Sequence, residues 1–147
     1  MTTCIYDHKN NIIAIDGRVS AGNRICTDTF DKWRIIDGEV WFFSGAVRDY
    51  QPLINAYKSG KSEREIEAYA IIASDGKVKD FAVLENLTVS TSFIEWNDGM
   101  GSGLEFALGA LEHGATAKQA VEYAATKDAG TGGKVSVFDV AKMEFIA

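Results

Sequence analysis

The sequence predicts an α+β fold in which two antiparallel β-sheets pack face to face and helices cover them from outside. Three observations lead there. The predicted elements run strands, one helix, strands, two helices, strands, without the regular β–α–β alternation of a parallel-sheet protein. The helices are amphipathic, so each has one face to bury. The strand candidate Ile12–Ile15 is apolar throughout, as expected where both faces of a sheet are covered.

Taken in order, Thr3 to Ile15 reads as a hairpin whose polar tip is Asp7-His8-Lys9-Asn10-Asn11, and Asp16-Gly17 marks the turn after it. Trp33–Ile36 and Val40–Phe43 flank Asp37-Gly38, a strong two-residue hairpin signal. Asp49–Lys58 is a short helix with Leu53, Ile54 and Tyr57 at helical spacing, Pro52 in its first turn and Ser59-Gly60 at its end. Glu65–Ser74 reads as a strand that turns at Asp75-Gly76 and pairs with Phe81–Leu84. Leu87–Ile94, β-branched and aromatic, is another strand. After a glycine cluster, Leu104–His113 is a helix with Leu104, Ala107, Leu108 and Leu111 on one face, ended by Gly114. Thr116 caps a further helix reaching Thr126, and Ser102 is a candidate cap for the helix before it, with Glu105 at the capping-box position. Val135–Val140 and Met143–Ile146 are closing strands. No linker or internal repeat appears, so residues 1–147 are expected to form one domain.

Size and charge narrow the function classes. The 147 residues suffice for a full hydrophobic core, with 46% apolar and 24% charged residues. A formal net charge of −6 repels a nucleic-acid backbone in bulk, so no nucleic-acid partner is expected. No apolar run is long enough to span a bilayer and no secretory signal is visible, so the expected location is the cytoplasm, with no membrane partner. Cys4 and Cys26 make no disulfide framework, and with His8 and His113 they make no spaced metal cluster. Neither a metal nor a cofactor is expected.

The chemistry gathers near the N-terminus. Once Met1 is removed, Thr2 carries a free α-amine beside its own hydroxyl. An amine with a reference pKa of about 7.7 to 8.0 can take the hydroxyl proton near neutrality, which activates an otherwise poor nucleophile without a histidine. Lys32, between Asp31 and Trp33, lies where the sequence turns apolar. A buried ammonium there needs a partner, and Asp16 is the candidate.

Thr2-Thr3, the apolar strand ending in Asp16-Gly17-Arg18, then Lys32 and Phe43-Ser44-Gly45-Ala46 resemble the proteasome β-subunits and the HslV peptidases. Gly101-Ser102-Gly103 before a helix and Asp128-Ala129-Gly130-Thr131-Gly132-Gly133 before a strand resemble that family's later active-site segments. The order of these motifs, from Thr2 to the last strand, makes the resemblance fairly specific. It implies the four-layer αββα sandwich of N-terminal-nucleophile hydrolases. It further implies Thr2 as nucleophile and, through its amine, base. Lys32 and Asp16 would lower the barrier to deprotonation, and the Gly45 N–H would hold the oxyanion. Ser102, Asp128 and Thr131 would tune the amine, Thr131 standing where the family often has serine. Substrate would meet Ser20 and Val47 through its backbone, and Val19, Phe43 and Val47 would line a first specificity pocket.

The activity so implied is a threonine-type endopeptidase acting on peptides or unfolded polypeptide, as a homo-oligomer or ring served by an ATP-dependent unfoldase. Two alternatives stay open: a non-catalytic structural or assembly protein on the same fold, and a small-molecule amidase. The chain departs from the family in length. The shortage falls between Lys58 and Glu65, where a second long helix is missing, so one side of the sandwich is expected to be thinly covered.

Overall fold

A computed structural model describes residues 1–146. Its strands are β1 (Cys4–Asp7), β2 (Ile12–Ile15), β3 (Val19–Ala21), β4 (Arg24–Thr27), β5 (Trp33–Ile36) and β6 (Glu39–Gly45). A single 3-10 turn, Val47–Asp49, leads into α1 (Tyr50–Ser59). Then come β7 (Ala68–Ser74), β8 (Lys77–Val83), β9 (Val89–Phe93), β10 (Asp98–Met100), α2 (Leu104–Glu112), α3 (Ala117–Ala125), β11 (Ser136–Asp139) and β12 (Glu144–Ile146).

Two five-stranded antiparallel sheets result. One has the order β10-β1-β2-β11-β12 and the other β5-β6-β7-β8-β9, with β3 and β4 forming a separate ribbon. Strand alternation explains the apolar runs. In β1 and β2, Cys4, Tyr6, Ile13 and Ile15 enter the space between the sheets, where Phe42, Ile71 and Phe138 meet them. Ile5 and Ala14 point the other way, onto Ala107, Ala120, Val121 and Ala124 of α2 and α3. In β6 the neighbours of Phe42 do the reverse: Trp41 and Phe43 turn outward and pack with Tyr50, Leu53 and Ile54 of α1. Each sheet thus buries both faces, and the layers run αββα. The fold class expected from the sequence is the one observed.

The hairpins turn where expected, with Asp37 and Asp75 at φ of 50° each and Gly38 and Gly76 following at 80° and 76°. Gly60, left-handed at φ 80°, ends α1 and returns its N–H to the Ala56 carbonyl. Thr116 and Gln119 form a reciprocal capping box on α3. Ser102 does not cap α2. Gly103 holds the N-cap position with no side-chain bond, because the Ser102 hydroxyl donates instead to Asp128 at 2.6 Å. Among the described residues no helix is long and apolar enough to cross a membrane.

The helix shortage is real. After α1 the chain returns toward β7 without a second helix; Ile66 from this segment is buried beneath α1, while Leu84 and Phe93 remain 46% and 56% exposed. What anchors the segment is Asp49, itself buried. Its carboxylate accepts the Glu67 N–H at 2.7 Å and the Arg64 guanidinium at 2.9 Å. Burial pushes this carboxyl up, but those two donors, with Arg48 nearby, outweigh it and hold its pKa below the ordinary value.

A depressed carboxyl stabilises the fold above its unfolded pKa and ceases to do so as pH falls through its folded one. Asp49→Ala is therefore expected to cost about 1–3 kcal/mol near neutrality by leaving the Glu67 N–H without its acceptor. Denaturant melts should show that penalty shrinking as the pH falls below about 4, the unfolded value, and lost only once the pH has passed the lower native one.

Candidate active site

Thr2 enters the structure just ahead of β1, and its neighbourhood is built by backbone from three directions. Gly103 donates its N–H to the Thr2 carbonyl at 3.3 Å. Gly101, at φ +100°, passes so close to that carbonyl that a Cβ would overlap it, so glycine is required there on both counts. Thr3 donates its N–H to the Asp16 carboxylate at 3.1 Å, and the Asp16 N–H returns to the Thr3 carbonyl at 3.2 Å. The first residues are thereby locked to the end of β2, and Thr2 is only 1% exposed.

Lys32 reaches this point from the segment before β5. Its ammonium donates to Asp16 at 2.9 Å, to the Thr2 hydroxyl oxygen at 3.2 Å and to the Met1 carbonyl at 3.3 Å. The side chains of the pair are almost wholly enclosed, with 2% exposure for Lys32 and 0% for Asp16. Burial lowers the Lys32 pKa most, Asp16 pulls it back, and the net direction is below the ordinary lysine value. Asp16 also accepts N–H groups from Gly132 at 3.0 Å and Arg18 at 3.4 Å, so its lone pairs are spoken for. Cys4 lies close by, but burial followed by the Asp16 charge pushes its thiol far up, so it stays a protonated thiol.

A second polar cluster borders the N-terminus. Asp128 receives the hydroxyls of Ser102 and Thr131, each at 2.6 Å, and the Gly130 N–H at 3.2 Å. Since Thr131 gives its proton to Asp128, the 2.7 Å contact between the Thr3 and Thr131 hydroxyls must be donated by Thr3. Burial raises the Asp128 pKa; Ser102, Thr131, Gly130 and the N-terminal ammonium outweigh this, and the net direction is down. Asp128 is thus an anion facing the amine end of the chain. Met1 still caps Thr2: the Thr2 hydroxyl donates to the Met1 carbonyl at 2.6 Å, and the Met1 side chain stands against Gly130.

A cavity of about 390 Å³ opens beside Thr2 and Lys32, and Val19, Ser20, Gly45 and Val47 all line it. Gly45, at φ +95°, could carry no Cβ without striking the Glu67 carbonyl, so its bend is a backbone requirement as well as a lining position. Phe43 does not reach the cavity. It is fully buried, its ring stacked on Tyr50 at 4.3 Å, and Tyr50 lines the cavity in its place. The reason is strand alternation: β6 sends Phe43 outward to α1. Sequence reasoning missed Tyr50, although it follows Val47 by three residues and so shares its side of the turn. It also missed the bracing role of Arg18. That guanidinium grips Asp28 at 2.8 and 3.2 Å and donates to the Ala129 and Thr131 carbonyls at 3.1 and 3.4 Å, tying the ribbon to the Asp128 loop. Among the described residues no group of three or more His, Cys, Asp or Glu could hold a metal ion.

Of the expected residues, then, Thr2, Asp16 and Lys32 share one contact network. Ser102, Asp128 and Thr131 share a second one beside it. Val19, Ser20, Gly45 and Val47 line the adjoining cavity, and Phe43 alone lies elsewhere.

No family model matches the sequence, and a search of curated proteins finds no match either. Solved structures do match. Eukaryotic HslV from Trypanosoma brucei superposes with a TM-score of 0.68 at 21% identity, over 93% of this chain and 97% of that one. BPH from Thiobacillus denitrificans in complex with epoxomicin gives 0.69 at 16% identity, over 94% and 97%. BPH without that compound gives 0.69 at 15% identity, over 94% and 96%. Agreement over nearly the full length of both partners fixes the architecture: this chain has the HslV-type fold, an αββα sandwich.

Proposed function

We propose that the chain is a threonine-type peptidase, in which Thr2 becomes the nucleophile when Met1 is removed. The observation that carries this reading is the buried Lys32 ammonium, held by Asp16 and 3.2 Å from the Thr2 hydroxyl oxygen. A fixed cation in a water-poor site favours the alkoxide and costs no reorganisation during reaction. The likeness to HslV and to BPH, one structure of which carries epoxomicin, supports the same reading.

The steps use this chain's own groups. Thr2 Oγ1 attacks the amide carbon while its proton passes to the freed α-amine. The carbonyl oxygen takes up the negative charge near the Gly45 N–H. The α-ammonium then gives its proton to the departing amine, leaving an ester on Thr2. Water, deprotonated by the same amine, adds to that ester and releases the acid and the free hydroxyl. Lys32 stays charged throughout. Asp128, with Ser102 and Thr131, steadies the ammonium form of the amine. With Met1 attached the nitrogen is an amide and the base is missing, so the capped chain is inactive in this scheme.

Residues 1–147 act in this reading as one catalytic domain on extended peptide or unfolded polypeptide. Leu84 and Phe93, apolar side chains left exposed at 46% and 56%, favour association with further copies.

Two outcomes test the assignment. In protein lacking Met1, Thr2→Ala is expected to abolish hydrolysis of fluorogenic peptides, whereas Thr2→Ser keeps a measurable fraction. Lys32→Ala should abolish it too, and should cost about 3–5 kcal/mol of stability by leaving Asp16 as an unpaired buried charge. The pH profile offers an independent check. Activity should rise with pH as the α-amine loses its proton. Because Asp128 favours the ammonium, Asp128→Asn is expected to move that limb to lower pH. A limb that stays put in the variant would remove Asp128 from the proton-holding role.

A further inference from the structure

The cavity beside Thr2 has an unusual charge content for a protein of net charge −6. Its lining includes Arg18, Lys32 and Arg48 and, among the described residues, no carboxylate. Two of those cations are already matched from behind: Lys32 by Asp16 at 2.9 Å and Arg18 by Asp28 at 2.8 Å. Arg48 is not matched in this way. Its ion pair is a 3.4 Å contact with Glu67, both side chains being more than 70% exposed at 75% and 78%, and such a pair holds little free energy. A third guanidinium, that of Arg34, lies 5.6 Å from the Tyr50 ring centre, just behind the cavity wall, and none of the ion pairs among the described residues includes it.

The neutral polar groups have the same bias. The Ser20 hydroxyl is buried in the cavity lining and has no hydrogen-bond partner. Tyr50 also lines it, and burial, the largest influence, pushes its phenol up to about 12, so it stays a donor. A buried donor without an acceptor is costly, and a ligand that supplies the acceptor recovers that cost. Phe43, which would have made the wall apolar, is stacked away behind Tyr50.

We propose that this cavity selects an acyl portion bearing a carboxylate, that is, an aspartate or glutamate just before the scissile bond, and that Arg48 is the residue that reads it. The proposal rests on the Thr2 hydrolase reading above and names its substrate class. Arg48 supplies the charge at the cavity wall, Ser20 and Tyr50 supply neutral donors, and Arg34 adds positive potential from behind. Arg48 touches the side chain of the substrate and not its reacting atoms, so it is a specificity residue.

The test compares two fluorogenic peptides that differ only in glutamate or leucine before the cleaved amide, using protein lacking Met1. The expected kcat/KM ratio, glutamate over leucine, is roughly tenfold. It should shrink as salt is added, because Arg48 is exposed and screened. Arg48→Gln should bring the ratio close to one, and Arg48→Glu should invert it. Arg48 is on the surface, so neither change threatens the core. Hydrolysis of the leucine peptide at an equal or greater rate in the unmodified enzyme overturns the carboxylate selection and leaves the hydrolase standing. A glutamate preference that survives Arg48→Glu overturns the part given to Arg48. Hydrolysis of neither peptide overturns both readings together.

Discussion

The buried contact between Lys32 and Asp16 is the constraint on which the rest of the site depends. Each group is expensive to enclose alone, and together they are tolerated because every donor and acceptor is used. The ammonium has three acceptors: Asp16, the Thr2 hydroxyl and the Met1 carbonyl. The carboxylate takes N–H groups from Thr3, Arg18 and Gly132 besides the ammonium. One aspartate therefore joins the start of β1, the end of β2, the loop before β11 and the approach to β5. Such a pair contributes little net stability against an apolar substitute. What it does is hold a cation and a hydroxyl in register inside a dry sandwich.

The layers around this contact explain how so small a chain can enclose it. Both sheets are covered, one by α2 and α3, the other by α1 alone. On the α1 side the loss of a helix is made good in part by Ile66 and by the buried Asp49, which pins the return segment through backbone and guanidinium bonds. The contacts of Thr2 are made instead by the start of β1, the end of β2 and the approach to β5. The shortening thus falls on the outer layer and spares the residues around Thr2.

Much of this was legible in the sequence, and the misses have physical reasons. Asp37-Gly38 and Asp75-Gly76 marked their hairpins because those turns need positive φ. The Asp16 to Lys32 pairing could be anticipated because a lysine in an apolar stretch demands a counter-charge. The ribbon β3–β4 escaped notice because its strands of three and four residues are largely exposed and carry no apolar alternation. The strand β10 is three residues long and centred on Gly99, whose backbone packs against the Cys4 carbonyl, so no side-chain pattern announces it. Phe43 was misplaced because its motif position was read without the period-two alternation of β6. Ser102 looked like a helix cap, since a cap and an aspartate partner ask the same of a serine; only the position of Asp128, 26 residues later, decides between them.

In the proposed reading Met1 alone separates a dormant arrangement from a working one. Its carbonyl takes the Thr2 hydroxyl proton and one Lys32 donor, the groups that an attacking alkoxide would need. In the proposed mechanism hydroxyl, amine and buried ammonium act together once that carbonyl is gone. A peptide epoxyketone tests it directly, because its ring closes only on a hydroxyl and an amine borne by one residue. Intact-mass and peptide-mapping measurements on paired preparations, with and without Met1, should show one adduct per chain, on Thr2, in the shortened protein alone. Shortened, folded protein that gains no mass on Thr2 would rule out Thr2 as the nucleophile.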